Sequence, residues 1–454
     1  MNKESTRGNF GSKLGIILAT AGSAVGLGNI WRFPYTTGEN GGAAFILIYL
    51  VCVFMIGIPG MVAEFVVGRN AGTNAVRAYK ILAKGTPWRV IGYIGVITSM
   101  IVLGFYSVVA GWCLQYLWVS VLNQLHGDAA SVSQYFTHFT SQPLLPVVWA
   151  LLFILITHVV VVRGIRKGIE RTSKLLMPLL LILLLMLVVA SCMLPGAMKG
   201  VEFLLKPDFS KLTSSVFLEA LGQAFFSLSL GTACLCTYSS YFVRDTRLLH
   251  SAVTISLLDS LIAILAGLVI FPAAFSVGVN PDSGPSLIFI TLPNVFQEAF
   301  KSIPFVGYLV GVAFYSLLAL AALTSTISMH EIGTSFLHEE YNLSRKSGAW
   351  VFSALCGVIA VLCSLSMGAV TSLRVMGHSV LDFCDSITAN HLMPVGAFLT
   401  CFFVGWYVPR KLVQDQLTNW GELPVIYYRI FLFFVRFVCP TCIFCVFLHQ
   451  LGVI

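Results

Sequence analysis

The chain has 454 residues, of which 57% are hydrophobic and only 10% are charged, and its mean hydropathy is +0.88. Soluble domains carry a charge on about a quarter of their residues, so this composition excludes a soluble globular protein. The net charge of +8 does not indicate nucleic-acid binding, because the Lys and Arg residues are concentrated in the loops on one side of successive apolar segments.

Eleven apolar segments are long enough to cross a bilayer, and they are expected to be helical because lipid offers free backbone groups no partner. The basic loops after the second and fourth segments place the N-terminus inside the cell, and eleven spans then leave the C-terminus outside. The loop 70–86 is predicted to form a short helix at the membrane surface. The predicted spans cover residues 14–37, 42–68, 88–122, 145–162, 168–193, 214–243, 246–276, 303–336, 347–367, 376–408 and 423–451.

Small residues interrupt two of these spans near the middle. The first span contains Gly22–Asn29 (GSAVGLGN) and the sixth contains Ser227–Thr232 (SLSLGT). Glycine and short hydroxyl residues weaken a helix and allow its backbone to open. Broken helices at corresponding positions of two halves indicate the binding site of a transporter. The spacing of Gly22 and Gly26 also fits the GxxxG motif of packed membrane helices, and spacing alone does not decide between the two interpretations.

A charged residue, Arg32, follows the first interruption inside an apolar span, where a charge needs a partner or a water-filled cavity. The stretch Gly22–Pro34 (GSAVGLGNIWRFP), with Glu39–Gly42 after it, resembles the first-helix signature of the neurotransmitter:sodium symporter family. Gln223–Gly231 resembles the sixth helix of that family and Leu323–Ser325 its eighth. The resemblance covers essentially the whole chain and is to the bacterial amino acid transporters of the family.

The resemblance implies an all-α polytopic membrane protein with a five-plus-five inverted-repeat fold, in which helices 1 and 6 are broken. The whole chain, 1–454, is then one transmembrane domain, with repeats at 14–193 and 214–408 and an extra helix at 423–451. The implied function is secondary active symport in the bacterial inner membrane, in which sodium drives the import of an amino acid by alternating access. The resemblance implies no enzymatic activity, no nucleic acid and no obligate protein partner.

The resemblance also implies two sodium sites. Sodium is a hard cation that binds oxygen, and opened backbone supplies carbonyl oxygens. Site 1 would use the carbonyl of Ala24 with the side chains of Asn29, Ser227 and Asp259. Site 2 would use the carbonyls of Gly22, Val25 and Ala321 with the hydroxyls of Thr324 and Ser325. The alternative for Thr324 and Ser325 is that their hydroxyls bond back to carbonyls of their own helix.

Asp259 is a lone acid in an apolar span, which makes it a candidate functional residue. Chloride-dependent members of the family carry Asn at this position and a serine where this chain has Ala263, whereas Tyr49, Gln223 and Ser227 of the chloride region are kept. A fixed carboxylate beside sodium supplies the charge that chloride would supply. The sequence therefore predicts transport that needs two sodium ions and no chloride; the alternative is a protonated, structural Asp259.

The residue types around the interruptions indicate the substrate class. Gly26 stands where monoamine transporters of the family carry an Asp, so a substrate that brings its own carboxylate fits the N–H groups of Leu27 and Gly28 and the hydroxyl of Tyr106. Thr232 is smaller than the residue often found at its position, which favours a large apolar or aromatic side chain. The substrate pocket is predicted from Ala24, Gly26, Leu27, Gly28, Val102, Tyr106, Phe226, Ser227, Ser229, Thr232, Ser325, Thr326 and Met329.

Charged residues on either side of the pocket are predicted to form gates. Arg32 would pair with Asp385, or else Asp382, on the outer side, and Arg7 would pair with Glu339 on the inner side. Glu64 is a further buried acid, predicted to hold opened backbone N–H groups as structural support.

Three other functions stay open from the residues alone. The first is a proton-coupled amino acid carrier of the same fold, in which Asp259 or Glu64 titrates. The second is a channel, which a closed carboxylate pocket disfavours. The third is a membrane enzyme, and no nucleophile motif or cluster of metal ligands supports it.

Overall fold

The computed structural model describes residues 8–124, 129–278, 288–370 and 372–450. Most of this part of the chain is helical, and the helices are numbered here in chain order. The helices of the first half are α1 Lys13–Ala24, α2 Gly28–Glu39, α3 Ala43–Ala71, α4 Ala75–Leu82, α5 Arg89–Val121, α6 Ala129–Ser141, α7 Leu145–Val162, α8 Ile165–Cys192 and α9 Met198–Leu205.

The second half contains the remaining helices and one small antiparallel strand pair, β1 Arg374–Val375 with β2 His378–Ser379. A short 3-10 turn at Phe209–Lys211 connects the halves. The helices are α10 Ser214–Ser227, α11 Cys234–Ser239, α12 Leu248–Ser276, α13 Thr291–Ala299, α14 Pro304–Glu340, α15 Arg345–Leu365, α16 Val380–Tyr407, α17 Arg410–Leu417 and α18 Val425–His449.

Nine helices in the described part of the chain are long and apolar enough to cross a membrane: α3, α5, α7, α8, α12, α14, α15, α16 and α18. The pair α1 and α2 passes the same test together, with a bend of 54° between its halves. The pair α10 and α11 is separated by residues 228–233. The interruptions predicted in spans 1 and 6 are therefore confirmed, while the total of eleven spans stays a prediction. The helix predicted in the 70–86 loop is present as α4.

The break between α1 and α2 begins at Val25, whose backbone turns out of the helix (φ −67°, ψ 112°). The next residue, Gly26, lies where this chain leaves little room for a side chain, because a Cβ added there would overlap Ser325 Oγ and lie 2.7 Å from the hydroxyl of Tyr106. The interruption thus brings the backbone of the first span into direct contact with α14 and α5.

The break between α10 and α11 contains three left-handed residues, Ser229 (φ 54°), Gly231 (φ 80°) and Ala233 (φ 60°). A left-handed non-glycine residue costs about 1–2 kcal/mol, so the alanine at 233 does not prevent the opening but is held in it by its surroundings. Gly95 of α5 leaves room for the Ala233 methyl group, which an added Cβ at position 95 would overlap.

A buried carboxylate on α3 stabilises this second break. Glu64 is 2% exposed, and it accepts hydrogen bonds from the backbone N–H of Gly231 (2.7 Å) and of Cys236 (3.2 Å). Both donors lie at the edge of the opened segment, where no helical carbonyl is available. These contacts confirm that Glu64 holds backbone groups freed by the sixth span.

Replacement of Glu64 by leucine should therefore destabilise the protein, because two buried N–H groups lose their acceptor at about 1–3 kcal/mol each. We expect Glu64→Leu to melt well below the wild type in detergent, as followed by intrinsic fluorescence. Glu64→Gln has a side chain of the same length that keeps one acceptor oxygen, and it is the matched control. Its melting temperature should lie between those of the wild type and the leucine variant. Equal melting temperatures for the leucine variant and the wild type would contradict this account of the break.

Candidate functional site

The first group of oxygen atoms is centred on Asp259 of α12, which is fully buried. Its Oδ1 accepts a hydrogen bond from Asn29 Nδ2 (2.7 Å), and its Oδ2 accepts one from Ser227 Oγ (2.6 Å). Asn29 Nδ2 also donates to Ser227 Oγ (3.1 Å), and Asn29 Oδ1 accepts from the N–H of Gly26 (3.0 Å). Asn29, Ser227 and Asp259 thus meet at one point between α2, the end of α10 and the middle of α12.

Tyr49 of the chloride region also lies at this point, and Gln223 of the same region bonds to the backbone one residue before Asn29. The hydroxyl of Tyr49 is 3.3 Å from both Ser227 Oγ and Asp259 Oδ2, and Gln223 Nε2 donates to the carbonyl of Gly28 (3.4 Å). Tyr49 is fully buried. The carboxylate of Asp259 is therefore surrounded by polar donors in the membrane interior, the surroundings that a buried carboxylate needs.

The second group of oxygen atoms lies where the end of α1 meets α14. Thr324 Oγ1 donates to the carbonyl of Val25 (3.2 Å) and to that of Ala321 (2.9 Å), and Ser325 Oγ donates to Val25 (3.1 Å). Gly22 packs directly on Thr324, because a Cβ added to Gly22 would lie 3.3 Å from the Cβ of Thr324. Thr324 Oγ1 is within hydrogen-bond distance of a carbonyl of its own helix and of one in the opened segment, so the bond back to its own helix is present, and its role as a sodium ligand stays a prediction.

A small cavity of about 30 Å³ lies between the opened segments of the two broken spans, next to both groups of oxygen atoms. Most of the predicted pocket residues line it, together with Met393 of α16, which the sequence did not indicate. Leu27 and Thr326 are not among the residues that line it. The lining consists of Ala24, Gly26, Gly28, Val102, Tyr106, Phe226, Ser227, Ser229, Thr232, Ser325, Met329 and Met393.

The two predicted residues outside the cavity lining have other partners. The N–H of Leu27 donates to the hydroxyl of Tyr106 (2.8 Å), so this group lies at the edge of the cavity through its backbone. The hydroxyl of Thr326 is 2.9 Å from that of Thr157 on α7. Thr326 follows Ser325 directly on α14, so its side chain points about 100° away from the face that meets the cavity. Its predicted place in the pocket stays a prediction.

A wider cavity of about 440 Å³ lies next to the small one and contains the residues of the predicted outer gate. Gly28, Tyr106 and Phe226 line both cavities and therefore lie at their boundary. The Arg32 guanidinium lies over the ring of Phe226, 4.5 Å from its centroid. In the described part of the chain Arg32 makes no ion pair within 4.0 Å with Asp382 or Asp385, although both acids line the same cavity. Their pairing requires this cavity to narrow and stays a prediction.

The predicted inner gate is only partly described, because Arg7 lies outside the described residues. Its predicted partner, Glu339 of α14, accepts hydrogen bonds from Thr73 Oγ1 (2.6 Å) and from the backbone N–H of Asn74 (2.7 Å). Nearby, the N–H of Gly11 donates to Glu170 of α8 (2.6 Å). The segment before α1 is thus fastened to the inner end of α8.

A buried ion pair between α14 and α15 was not predicted. Glu331 of α14 is fully buried and pairs with Arg345 at the start of α15, with one contact of 3.0 Å between Nη1 and Oε1. Tyr241, which follows α11, donates to the same carboxylate (2.7 Å). An acid alone in an apolar span is the signal that identified Asp259, and it would have found Glu331 as well.

Comparisons with known proteins agree on one family. The model of the sodium:neurotransmitter symporter family matches residues 7–142 and 141–453. A protein of Bacillus subtilis named "Uncharacterized sodium-dependent transporter YhdH" is 39% identical over 98% of both chains, and an uncharacterized sodium-dependent transporter of Haemophilus influenzae is 34% identical over 98% of both chains. The crystal structure of MhsT in complex with L-phenylalanine superposes with a TM-score of 0.88 at 41% identity, covering 98% of this chain and all of that one.

Gly26 allows a direct test of the break in the first span. An alanine there forces Ser325 and Tyr106 apart, and overpacking of this kind costs about 1–3 kcal/mol. We expect Gly26→Ala to lower the melting temperature of the purified protein.

The matched control is Gly222→Ala in α10, where an added Cβ meets no atom within 4 Å. This variant should melt at or above the wild-type temperature, because alanine is favoured over glycine in a helix by about 1 kcal/mol. If both alanine variants melt like the wild type, the close approach at Gly26 is not a constraint.

Proposed function

This chain belongs to the sodium:neurotransmitter symporter family, and we propose that it imports a large apolar or aromatic amino acid together with sodium. Membership makes it a multi-pass membrane transporter that depends on sodium, and not an enzyme. The observation that carries the proposal is the small cavity between two opened helices, whose lining includes Ser227 of the first group of oxygen atoms and Ser325 of the second. The N-terminus is proposed to face the cytoplasm and the C-terminus the outside.

Two sodium ions would bind at the two groups of oxygen atoms. At the first site Asn29, Ser227 and Asp259 would turn their oxygen atoms to the ion, with the carbonyl of Ala24 from the opened backbone. At the second site the carbonyls of Gly22, Val25 and Ala321 would join Thr324 and Ser325. Hydroxyl, amide, carboxylate and carbonyl oxygens are the ligands that a hard cation prefers. The hydroxyl contacts of Thr324 and Ser325 with Val25 support the convergence of this second set.

The carboxylate of the substrate would bind at the N-terminal end of α2. The N–H of Leu27 and the hydroxyl of Tyr106 now bond to each other (2.8 Å) and would both turn to the substrate carboxylate. The positive end of the helix dipole favours an anion at this position. The substrate carboxylate would also reach the first sodium ion through the space beside Ala24. Sodium and substrate would thus bind cooperatively, each supplying the charge that the other needs.

The side chain of the substrate would occupy the space between Val102, Phe226 and Met329. No charged side chain lines this cavity, which favours an apolar substrate. MhsT, with L-phenylalanine bound, supports an aromatic side chain by similarity. A cavity of about 30 Å³ must enlarge to hold such a group, and the flexible side chains of Met329 and Met393 allow this.

Alternating access would use the residues that lie at the boundary between the small cavity and the wider one. Phe226 and Tyr106 would act as the thin outer barrier above the substrate, and Arg32 with Asp385 would close over them. On the inner side the barrier is thicker, because the segment before α1 is bonded to Glu170 and packed on Tyr241. The two repeats, 14–193 and 214–408, would each contribute one broken helix, and their movement would expose the site to either side in turn.

The substrate can be identified by thermal stability. We expect one or a few large apolar or aromatic amino acids to raise the melting temperature of the purified protein in sodium, because a ligand at 100 times its Kd stabilises by about 2.7 kcal/mol. The screen runs all twenty amino acids in sodium and in choline. Stabilisation that persists in choline and varies with pH would support the proton-coupled alternative instead, and stabilisation by none of the twenty would refute amino acid transport.

Chloride independence rests on the fixed carboxylate of Asp259. Wild-type uptake into proteoliposomes should be unchanged when gluconate replaces chloride. Asp259→Asn should lose uptake in gluconate by about tenfold or more, equivalent to about 1.4 kcal/mol, and regain part of it in chloride. Asp245→Asn removes an exposed carboxylate (63% exposed) from an inner loop and is the matched control. Wild-type uptake by Asp259→Asn in gluconate would remove this carboxylate from the sodium site.

A further inference from the structure

The turn between α7 and α8 carries an unusual density of cations. Five Lys or Arg residues occur within twelve positions, at 163, 166, 167, 171 and 174. The turn begins after Val162, passes through Gly164 in a left-handed conformation (φ 86°), and enters α8 at Ile165. Charges of this kind set membrane orientation, but orientation does not require them to converge in space.

Two of the five cations are used within the protein. The ammonium of Lys174 lies 2.6 Å from the carboxylate of Glu170, and the Glu170 side chain is almost fully buried. Arg166 lies against the segment before α1, where a Cβ added to Gly11 would be 2.8 Å from its Nε. These two side chains therefore face the segment that closes the inner side of the protein.

The other three cations face away from that segment. Arg163, Lys167 and Arg171 are exposed, and in the described part of the chain their side chains make no hydrogen bond and no ion pair. All three line one open cavity of about 670 Å³, together with Thr172 and Leu175. No acidic residue lines it, because Glu170 is turned inward to Lys174. Three like charges held together without a counter-ion favour an anionic ligand.

An apolar surface begins directly beside these cations. Leu175 lines the same cavity and is 68% exposed, and it lies one turn, about 6 Å, along α8 from Arg171. The exposed surface continues with Leu179 and with Ile182, which is 63% exposed. In a span that crosses the bilayer, exposed leucine and isoleucine side chains face acyl chains. The cations are thus at the level where apolar surface gives way to headgroups.

We propose that this cavity binds the phosphate of an anionic phospholipid from the inner leaflet, with the acyl chains lying along Leu175, Leu179 and Ile182. Arg163, Lys167 and Arg171 would contact the phosphate, and Thr172 would donate its hydroxyl. A cluster of basic residues at the inner end of membrane helices is a recognised kind of lipid headgroup site. A free anion would use the cations but not the apolar surface, so the apolar surface favours a lipid.

The site is next to the contact that fastens the N-terminal segment. Glu170, which accepts the N–H of Gly11, lies on α8 between Lys167 and Arg171. A lipid bound to these two cations would hold the inner end of α8 in the position that this contact needs. The proposal does not depend on the identity of the transported substrate.

The first experiment measures lipid binding to the full-length protein in detergent by native mass spectrometry and by thermal shift. Phosphatidylglycerol should bind and raise the melting temperature, whereas phosphatidylcholine and inorganic phosphate should not. The variant Arg163→Gln/Lys167→Gln/Arg171→Gln should bind phosphatidylglycerol more weakly by roughly fivefold per cation, or on the order of 100-fold in total.

The matched control, Lys84→Gln/Arg410→Gln/Lys411→Gln, removes three exposed cations predicted on the same side of the membrane that do not line this cavity. It should bind phosphatidylglycerol like the wild type. Equal weakening in both triple variants would mean attraction to overall charge and would overturn the proposal. Stabilisation by inorganic phosphate equal to that by phosphatidylglycerol would make the ligand a free anion and would overturn it as well.

A second measurement needs no variant, in case the loss of three cations impairs insertion. Wild-type protein in vesicles that contain photoactivatable phosphatidylglycerol is irradiated, digested and mapped by mass spectrometry. Cross-links should concentrate on the peptide 163–182 and decrease when unlabelled phosphatidylglycerol is added, but not when phosphatidylcholine is added. Cross-links spread evenly over the exposed helices would show ordinary solvation by the bilayer and would refute a defined site.

Discussion

The structure depends on the partners found for the backbone groups that the two broken helices release. Lipid offers these groups no hydrogen bond, and each one left unpaired in a buried position costs several kcal/mol. The chain supplies the partners from side chains on other helices: Glu64 for Gly231 and Cys236, and Tyr106 for Leu27. The breaks persist in the membrane because three unbroken spans, α3, α5 and α14, carry the groups that stabilise them.

The same requirement prepares the site for its ligands. Tyr106 bonded to Leu27, and Thr324 and Ser325 bonded to Val25, are polar groups already gathered at one place and already desolvated. In the proposed function, an incoming carboxylate or sodium ion would exchange one partner for another, so the cost of burying these groups would already have been met during folding. Pre-organised polar groups in a dry site interact more strongly with a charge than the same groups do in water.

In the proposed transport cycle, the two sides of the site would be closed differently. The outer barrier would consist of two aromatic side chains, with the Arg32 guanidinium over the ring of Phe226. The inner barrier would combine the ion pair of Glu331 with Arg345 and the segment before α1, which is bonded to Glu170. Opening inward would rearrange these polar contacts, and the cationic surface at the start of α8 would lie beside them.

Much of the candidate site could be predicted from the sequence, because its polar groups lie next to the breaks. Glycine and hydroxyl residues inside an apolar span reveal both the interruption and its oxygen atoms, and an acid such as Asp259 stands out in an apolar span. The tertiary structure decided what local sequence does not contain: that Met393 lines the cavity, that Thr326 points to Thr157, and that Glu331 meets Arg345. These facts depend on how each helix is rotated about its axis and which helix packs beside it, and packing between residues far apart in the chain sets both.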